Sequence, residues 1–297
     1  MQSGAGRLRH LLFLSALVIC AGHVARAEPV LELTANVIWE RKEPWFGGFS
    51  GIEVDAQGRS MTVISDRGRL VTTRMIRDDG RLEGLQLVTQ TPLKYAKGGQ
   101  LGPRFTDAEG LAVGAEGQAY ISFELTHRVA QLDPETGQTR VLGGHADFDA
   151  LQINSGLEAL AIDPDGALFA LPERSGEETR PFPLYARRAG QWDIAARIPR
   201  RGPFLPVGAD FDSAGRFYLL ERALTPLGFR SRIRRFNLAA PALGEATLLT
   251  TGPGRFDNLE GLSIWEDAQG HRHLTLISDD NFYRIQRTQI VEFTLTE

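Results

Sequence analysis

The sequence predicts an all-β fold, a β-propeller of about five four-stranded blades whose ring is closed by the N-terminal strand. One pattern recurs five times: an acidic residue, a short apolar strand, a tight turn with glycine, and a second apolar strand that ends at another acidic residue. The first acids of successive repeats are 49 to 56 residues apart. A period near 50 with β-type patterning is typical of propellers, in which each repeat forms one blade. These first acids are Glu53, Glu109, Glu158, Asp210 and Glu260.

The turns inside the repeats support the hairpin interpretation. Four of them run from aspartate to glycine, as in Asp163-Pro164-Asp165-Gly166, and the remaining one contains Glu116-Gly117. Aspartate caps such a turn and glycine adopts its positive-φ position. No segment shows a sustained period of 3.6 residues, so we expect almost no helix.

The two ends of the repeat region predict how the ring closes. Residues 31–40 read as one strand without a hairpin partner, and the last repeat stops one strand short of four. An open ring would leave two exposed sheet edges, so the N-terminal strand is expected to complete the last blade. A sixth blade remains an alternative if the residues before Glu53, or the long segment 90–106, contain divergent strands.

The first 27 residues have the features of a secretory signal peptide. Arg7 and Arg9 precede the apolar run 11–21, and Ala25-Arg26-Ala27 is a small-x-small cleavage site. The run is too short to span a bilayer comfortably. We therefore predict cleavage after Ala27, a periplasmic or secreted protein without a transmembrane segment, and a single propeller domain over 28–297. Lipidation at Cys20 is a less favoured alternative.

Composition limits the chemistry and the partners. Cys20 is the only cysteine, and it is removed with the predicted signal peptide, so the mature chain would contain no disulfide. The mature chain would carry 30 basic and 37 acidic residues, a formal charge of −7. This charge argues against nucleic acid as a partner, and we expect a monomer.

The hairpin geometry predicts where the acids lie. A strand that starts at one acid and a returning strand that ends at another place both acids on the same edge of the sheet. Crowded carboxylates raise one another's pKa values unless a cation neutralises them, and Ca²⁺ binds six to eight hard oxygen ligands. Ion pairs with nearby arginines, or capping of backbone N–H groups, are the alternatives. The predicted metal ligands are Glu53, Asp66, Glu109, Glu124, Glu158, Glu173, Asp210, Glu221, Glu260 and Asp279.

Short motifs in these repeats resemble a known family. They include Asp107-Ala108-Glu109-Gly110-Leu111 and Asn258-Leu259-Glu260-Gly261-Leu262, and the strand ends Ile-Ser-Asp at Asp66 and Asp279. From about Phe46 to the C-terminus, the chain resembles the family named "esterase-like activity of phytase". The resemblance implies a secreted bacterial propeller linked to phosphoester hydrolysis. Asp210 in place of glutamate, and the lack of arginine after Glu124, depart from the pattern.

The leading hypothesis is a Ca²⁺-dependent phosphomonoesterase or phosphodiesterase that acts on a small anionic phosphate ester. The candidate catalytic residues are Glu158, Glu109 and Glu260, one of which would serve as general base. The basic residues expected to contact phosphate oxygens are Arg67, Arg174, Arg222, Lys94 and Lys97. A metal-dependent lactonase or carboxylic esterase is one alternative, and a non-catalytic ligand-binding or protein-binding propeller is the other.

Overall fold

The computed structural model describes residues 29–153 and 155–297, and the predicted signal peptide lies outside them. Five antiparallel sheets are arranged around a central channel as a five-bladed propeller, which confirms the predicted fold. In each blade the first strand lines the channel and later strands lie progressively further out. The first blade contains β2 (Phe49–Val54), β3 (Ser60–Ser65), β4 (Arg69–Asp78) and β5 (Arg81–Pro92).

The next three blades repeat this order along the chain. The second blade contains β7 (Ala108–Val113), β8 (Ala119–Phe123), β9 (Arg128–Leu132) and β10 (Gln138–Val141), together with the short β6 (Lys94–Tyr95). The third contains β11 (Leu157–Ile162), β12 (Leu168–Pro172), β13 (Phe182–Arg188) and β14 (Gln191–Ile198). The fourth contains β15 (Leu205–Phe211), β16 (Phe217–Thr225), β17 (Gly228–Phe236) and β18 (Ala246–Thr250).

The fifth blade joins the two ends of the chain. It contains β19 (Asn258–Glu266), β20 (Arg272–Asp279), β21 (Gln289–Thr296) and, as its outermost strand, β1 (Val30–Ile38). The antiparallel register of β1 with β21 runs from Val30 opposite Thr296 to Ile38 opposite Gln289. The N-terminal strand therefore closes the ring as predicted, and this pairing removes the open edge of the last blade.

The segment 90–106 does not form a sixth blade. It begins with the last residues of β5 and then contains β6, which pairs in parallel with the outer strand β10 of the second blade. The described residues contain three short 3₁₀-helices, at Pro103–Phe105, Ala146–Ala150 and Pro241–Gly244, and no α-helix. None of the helices in the described chain is long and apolar enough to cross a membrane.

The core lies between neighbouring blades. Each of five apolar clusters fills the space between one pair of adjacent sheets. Phe169 of the third blade packs against Phe211 of the fourth with ring centroids 4.8 Å apart, and Phe211 in turn packs against Phe217. Burial of such large side chains is the main source of stability in a chain without disulfides.

The inner strands approach one another so closely that two of the repeated glycines are required. A Cβ atom on Gly208 would lie 2.4 Å from the Glu260 carbonyl oxygen, and one on Gly110 would lie 2.8 Å from the Glu158 carbonyl oxygen. These distances are shorter than any normal contact. Gly110 and Gly208 therefore allow their inner strands to approach the neighbouring inner strands closely at the channel.

Candidate functional site

A β-bulge near the start of each inner strand sets the first group of site positions. The pairing with the second strand shifts there in all five blades. At such a bulge the inner strand has one extra residue opposite the second strand, and the side chain of this residue departs from the regular alternation between the two faces of the sheet. We call these residues the bulge positions, and they are Ser50, Glu109, Glu158, Val207 and Glu260.

The ends of the second strands supply a second group of positions. In each blade, one residue of the second strand pairs with the inner-strand residue just before the bulge. The next residue of the second strand is polar and lies at the same end of the channel as the bulge. We call these the strand-end positions. Four of them hold a carboxylate. In the fourth blade Pro206 pairs with Glu221, so Arg222 is the equivalent residue, although β16 continues beyond it to Thr225. The five strand-end positions are Asp66, Glu124, Glu173, Arg222 and Asp279.

Eight carboxylates converge at this end of the channel. Three of them, Asp107, Glu109 and Glu124, place one oxygen each within 4.8 Å of one another. Glu158 interacts electrostatically with Glu109, Glu124, Glu173 and Glu260, so acids of three blades are within range of one another. We call this set the carboxylate cluster; it comprises Asp66, Asp107, Glu109, Glu124, Glu158, Glu173, Glu260 and Asp279.

Burial and mutual repulsion raise the pKa values of Asp66, Glu124, Glu158 and Asp279. Burial is the largest cause in every case. The pKa of Glu158 is raised well above its ordinary value by burial and then by Glu109 and Glu124. The pKa values of Asp66 and Glu124 rise to about 7, and that of Asp279 rises to about 8. The charged form of the cluster is therefore unfavourable at neutral pH unless a cation joins it.

Arg222 is the guanidinium that reaches into the cluster. Its Nη1 atom donates hydrogen bonds to Glu260 and to Asn258 Oδ1, the latter at 2.8 Å. Its Nη2 atom lies 3.3 Å from Glu173 Oε1. Asn258 Nδ2 also donates to Glu260 at 2.8 Å, so these residues hold Glu260 in one orientation.

Arg67 and Arg174 lie at the margin of the cluster, where both are exposed. The guanidinium of Arg67 lies over the ring of Phe282, with its central carbon 3.1 Å from the ring centroid. The Nε atom of Arg174 donates to Ser155 Oγ at 2.9 Å and lies 3.4 Å from Glu173 Oε2. Both side chains are therefore placed where a ligand of the cluster could meet them.

The prediction that Glu53 and Asp210 lie on the same face as the other first acids is wrong. They come three residues after the bulge positions Ser50 and Val207, which carries them to the other end of the channel. There they line a cavity of about 620 Å³ together with the hairpin turns. Glu53 accepts from Val113 N at 3.0 Å, and Asp210 accepts from Ile264 N at 2.6 Å. These two acids cap backbone N–H groups of neighbouring blades.

Glu221 also lies away from the predicted cluster. Its side chain is fully buried and accepts hydrogen bonds from Arg232 Nε at 2.7 Å and Arg234 Nη2 at 2.6 Å. Successive residues of a strand point to opposite faces, so the neighbour of Arg222 points away from the channel. Glu221 belongs to an ion-pair network inside the fourth blade.

Lys94 and Lys97 are also far from the expected position. Lys94 is part of β6, at the outer edge of the second blade, and Lys97 follows in the loop after it. The structure therefore separates them from the carboxylate cluster at the channel. Conversely, Asp107 belongs to the cluster but was missed, although it is part of the same repeated motif as Glu109.

The cluster fits a hard divalent cation. Its donor atoms are carboxylate oxygens, which Ca²⁺ and Mg²⁺ prefer. Asp66 Oδ1 is buried and has no hydrogen-bond partner among the described residues. A cation bound beside Asp107, Glu109 and Glu124 would give this unsatisfied carboxylate oxygen a partner. Asp107, Glu109 and Glu124 are the residues best placed to hold it.

Comparison with known proteins identifies one family. Residues 44–282 match the sequence model of the Phytase-like family, described as "esterase-like activity of phytase". No curated protein matches the chain.

Solved structures with a similar overall fold have low identity. A PQQ-bound aldose sugar dehydrogenase from Streptomyces coelicolor has 13% identity and a TM-score of 0.47, over 91% of this chain and 99% of that one. A gluconolactonase from Xanthomonas campestris has 18% identity and a TM-score of 0.44, over 82% and 72%. A virginiamycin B lyase from Staphylococcus aureus has 12% identity and a TM-score of 0.45, over 90% and 100%. Likenesses of this size say nothing about the activity of this chain.

Proposed function

Because the chain belongs to the Phytase-like family, described as "esterase-like activity of phytase", we propose that it is a metal-dependent phosphoester hydrolase. The observation that carries the proposal is the buried carboxylate cluster, in which Asp107, Glu109 and Glu124 place three oxygens within 4.8 Å. Fold alone does not define function, so the proposal rests on this site and the family together.

We assign the cation as Ca²⁺, held by Asp107, Glu109 and Glu124, with further cluster oxygens within reach. Ca²⁺ accepts six to eight oxygen ligands in flexible geometry, which suits a ring of acids from several blades. A bound divalent cation would polarise a phosphoryl oxygen and lower the pKa of a bound water.

Other side chains of this site would act as general base, contact the phosphate and position the acids. Glu158 lies among four other carboxylates, which together with burial raise its pKa. A bound cation would offset this effect, and the Glu158 carboxylate would then serve as the general base. Glu260 is the alternative candidate for the general base, because Arg222 holds its carboxylate in place. The exposed arginines Arg67 and Arg174 would contact the phosphate oxygens and stabilise the charge that develops on them. Arg222 is engaged by Glu173 and Glu260, so its role is to position these two acids.

We also propose that the protein is exported from the cytoplasm. The predicted signal peptide would deliver the protein to the periplasm or beyond, where the free Ca²⁺ concentration permits a site of moderate affinity. The substrate would be a small phosphate ester, bound from the face that carries the carboxylate cluster.

The proposal is tested by comparing substrate classes with and without metal. The mature protein is stripped with EDTA, then assayed with 4-nitrophenyl phosphate, with bis(4-nitrophenyl) phosphate and with a γ-lactone, before and after Ca²⁺ is added back. We expect hydrolysis of at least one phosphate ester only when Ca²⁺ is present.

Two other outcomes would favour the alternatives. Turnover of the lactone but of neither phosphate ester would indicate a metal-dependent lactonase. Binding of Ca²⁺ without turnover of any substrate would indicate a binding propeller.

A further inference from the structure

A second pocket lies at the outer side of the second blade, away from the channel. It has a volume of about 390 Å³. Its walls combine aromatic and aliphatic side chains with two cations and two threonines. The lining includes Tyr95, Leu101, Phe105, Thr126, Arg128 and Val141, with Lys97 at the rim.

The excursion 94–106 builds one wall of this pocket. Strand β6 attaches it to β10, and the 3₁₀-helix Pro103–Phe105 presents Phe105. The rings of Tyr95 and Phe105 meet edge to face, with centroids 6.1 Å apart. The Tyr95 hydroxyl accepts a hydrogen bond from Gly102 N at 3.3 Å. The excursion is thus folded upon itself, and it presents an aromatic surface to the pocket.

Arg128 forms the floor and has an unsatisfied donor. Its guanidinium lies over the ring of Phe123, 3.7 Å from the centroid, and its Nη2 atom donates to the Phe105 carbonyl oxygen at 2.7 Å. Its Nη1 atom is buried and has no hydrogen-bond partner among the described residues. The hydroxyl of Thr126, in the same lining, is also buried and without a partner there.

No carboxylate in the described part of the chain forms an ion pair with Arg128. The fully buried Arg234 differs from the partly buried Arg128, because it pairs with Glu221 at 2.6 Å and with Glu245 at 2.9 Å. Burial lowers the pKa of Arg128 to about 10. A guanidinium taken out of water without a counter-charge is costly, and an anion bound in the pocket would offset that cost.

We propose that this pocket binds a small organic anion, a carboxylate or phosphate attached to an aromatic or short aliphatic body. The anionic group would contact the Arg128 guanidinium, with Thr126 beside it and Lys97 at the entrance. The body of the ligand would pack between Tyr95, Phe105 and Val141, because apolar walls with a few convergent polar groups are typical of small-molecule sites. The inference does not depend on the hydrolase proposal, since it involves no residue of the carboxylate cluster.

Calorimetric titration of the mature protein with four probes tests the proposal. The probes are benzoate, phenyl phosphate, benzylamine and inorganic phosphate, with EDTA present so that the carboxylate cluster holds no cation. We expect benzoate, phenyl phosphate or both to bind, and whichever binds more tightly identifies the anionic group. Benzylamine has the ring but the wrong charge, and inorganic phosphate lacks the body, so neither should bind measurably.

Two pairs of variants locate the site. Arg128→Gln should weaken binding of the favoured anion by about tenfold or more, equivalent to about 1.4 kcal/mol. Arg140→Gln is the matched control, because Arg140 is in the adjacent strand and is absent from the lining. Val141→Trp should block the pocket without touching Arg128. Val88→Trp is its control, an equally exposed valine in the outer strand of the first blade.

The results that overturn the proposal are equally specific. If neither anion binds, or if benzylamine binds as well as benzoate, the pocket is not an anion site. If binding persists unchanged in both Arg128→Gln and Val141→Trp, the ligand lies elsewhere. Should Arg128→Gln fail to fold, the Val141→Trp and Val88→Trp pair decides alone.

Discussion

Arg222 Nη2 lies 3.3 Å from Glu173 Oε1, across the boundary between the fourth and third blades. The same guanidinium contacts Glu260 of the fifth blade, so one cation links three blades at the channel. Burial would lower the pKa of Arg222, but Glu260, Glu158 and Glu173 outweigh this effect and raise it. Arg222 therefore remains charged and partly neutralises the carboxylate cluster in the absence of metal.

Replacing Arg222 by glutamine should make the protein depend on metal for its stability. The change leaves Glu260 and Glu173 buried without their cation, and breaking a buried pair costs about 3 to 5 kcal/mol. In EDTA the melting temperature should fall sharply, and Ca²⁺ should restore much of the loss. Arg104→Gln, at an exposed arginine outside the carboxylate cluster, is the control for loss of charge alone. A metal-free variant as stable as the parent would show that Arg222 does not balance the cluster.

Glu158→Gln should abolish the response to calcium and the hydrolytic activity together. Glutamine keeps the shape but removes the proposed general base, whose carboxylate is also one of the further cluster oxygens within reach of the cation. A ligand that binds only the folded state stabilises it by mass action, by about 2.7 kcal/mol at a hundredfold excess over the dissociation constant. The measurement is the shift in melting temperature on adding Ca²⁺, beside the turnover of a phosphate ester.

Asp163→Asn is the matched control for this change. Asp163 is in a hairpin turn at the other end of the channel, where its Oδ1 atom accepts from Ala167 N at 2.8 Å. An asparagine keeps that acceptor, so both the calcium response and the activity should be preserved. Loss of activity in Asp163→Asn with full activity in Glu158→Gln would show that the active site is at the end of the channel that carries the hairpin turns, and not at the carboxylate cluster.

The metal-free protein should lose stability as the pH rises. Burial, followed by repulsion from other acids, raises the pKa values of Asp66 and Glu124 to about 7 and that of Asp279 to about 8. The unfolded chain releases these protons near pH 4, whereas the folded protein keeps them to higher pH. The unfolded state therefore binds fewer protons over this window, and the free energy of unfolding falls between about pH 4 and about pH 8.

Calcium should reverse this trend, because a cation competes with protons for the same oxygens. Melting temperatures measured with EDTA and with Ca²⁺ between about pH 5 and about pH 8 should therefore diverge as the pH rises. Parallel curves would contradict the assignment of these acids to a metal site.

The sequence predicted the blades well because the hairpin turns recur with the period of the fold. The acids at Glu109, Glu158 and Glu260 were located correctly because each stands directly at a bulge. In the first and fourth blades the bulge holds Ser50 and Val207, which carry no acidic signal. The nearest acids, Glu53 and Asp210, were therefore aligned with the wrong positions, three residues further along.

A shift of one residue had a similar effect at the end of the second strand in the fourth blade. Glu221 matched the pattern of acid followed by arginine, yet Arg222 occupies the strand-end position. Side chains of a strand alternate between its two faces, so a shift of one residue exchanges the channel for the blade interior. Bulges and register depend on pairing between strands, and the composition of a single strand does not reveal them.

Glu53→Gln provides a direct test of this correction. The pKa of Glu53 is raised well above its ordinary value, first by burial and then by Asp210, so glutamine mimics its neutral form. Its oxygen can still accept the hydrogen bond from Val113 N. We expect unchanged calcium response and activity, whereas Glu53→Ala should cost about 1 to 3 kcal/mol of stability by leaving a buried N–H unpaired. Loss of the calcium response in Glu53→Gln would return Glu53 to the metal site.

Arg174→Ala should separate substrate binding from metal binding. The side chain is about half exposed and lies beside Glu173, at the margin of the carboxylate cluster. Its loss should leave the calcium-induced rise in melting temperature intact and reduce turnover of phosphate esters by about 10- to 1000-fold, or about 1.4 to 4 kcal/mol of transition-state stabilisation. Arg180→Ala is the control in the same loop, where Arg180 pairs with Glu177 and is similarly exposed. Equal losses of turnover in the two variants would mean that the loop contributes only its overall positive charge and that Arg174 makes no specific contact with the phosphate. A calcium response lost in Arg174→Ala would show that this arginine supports the metal site and does not contact the phosphate.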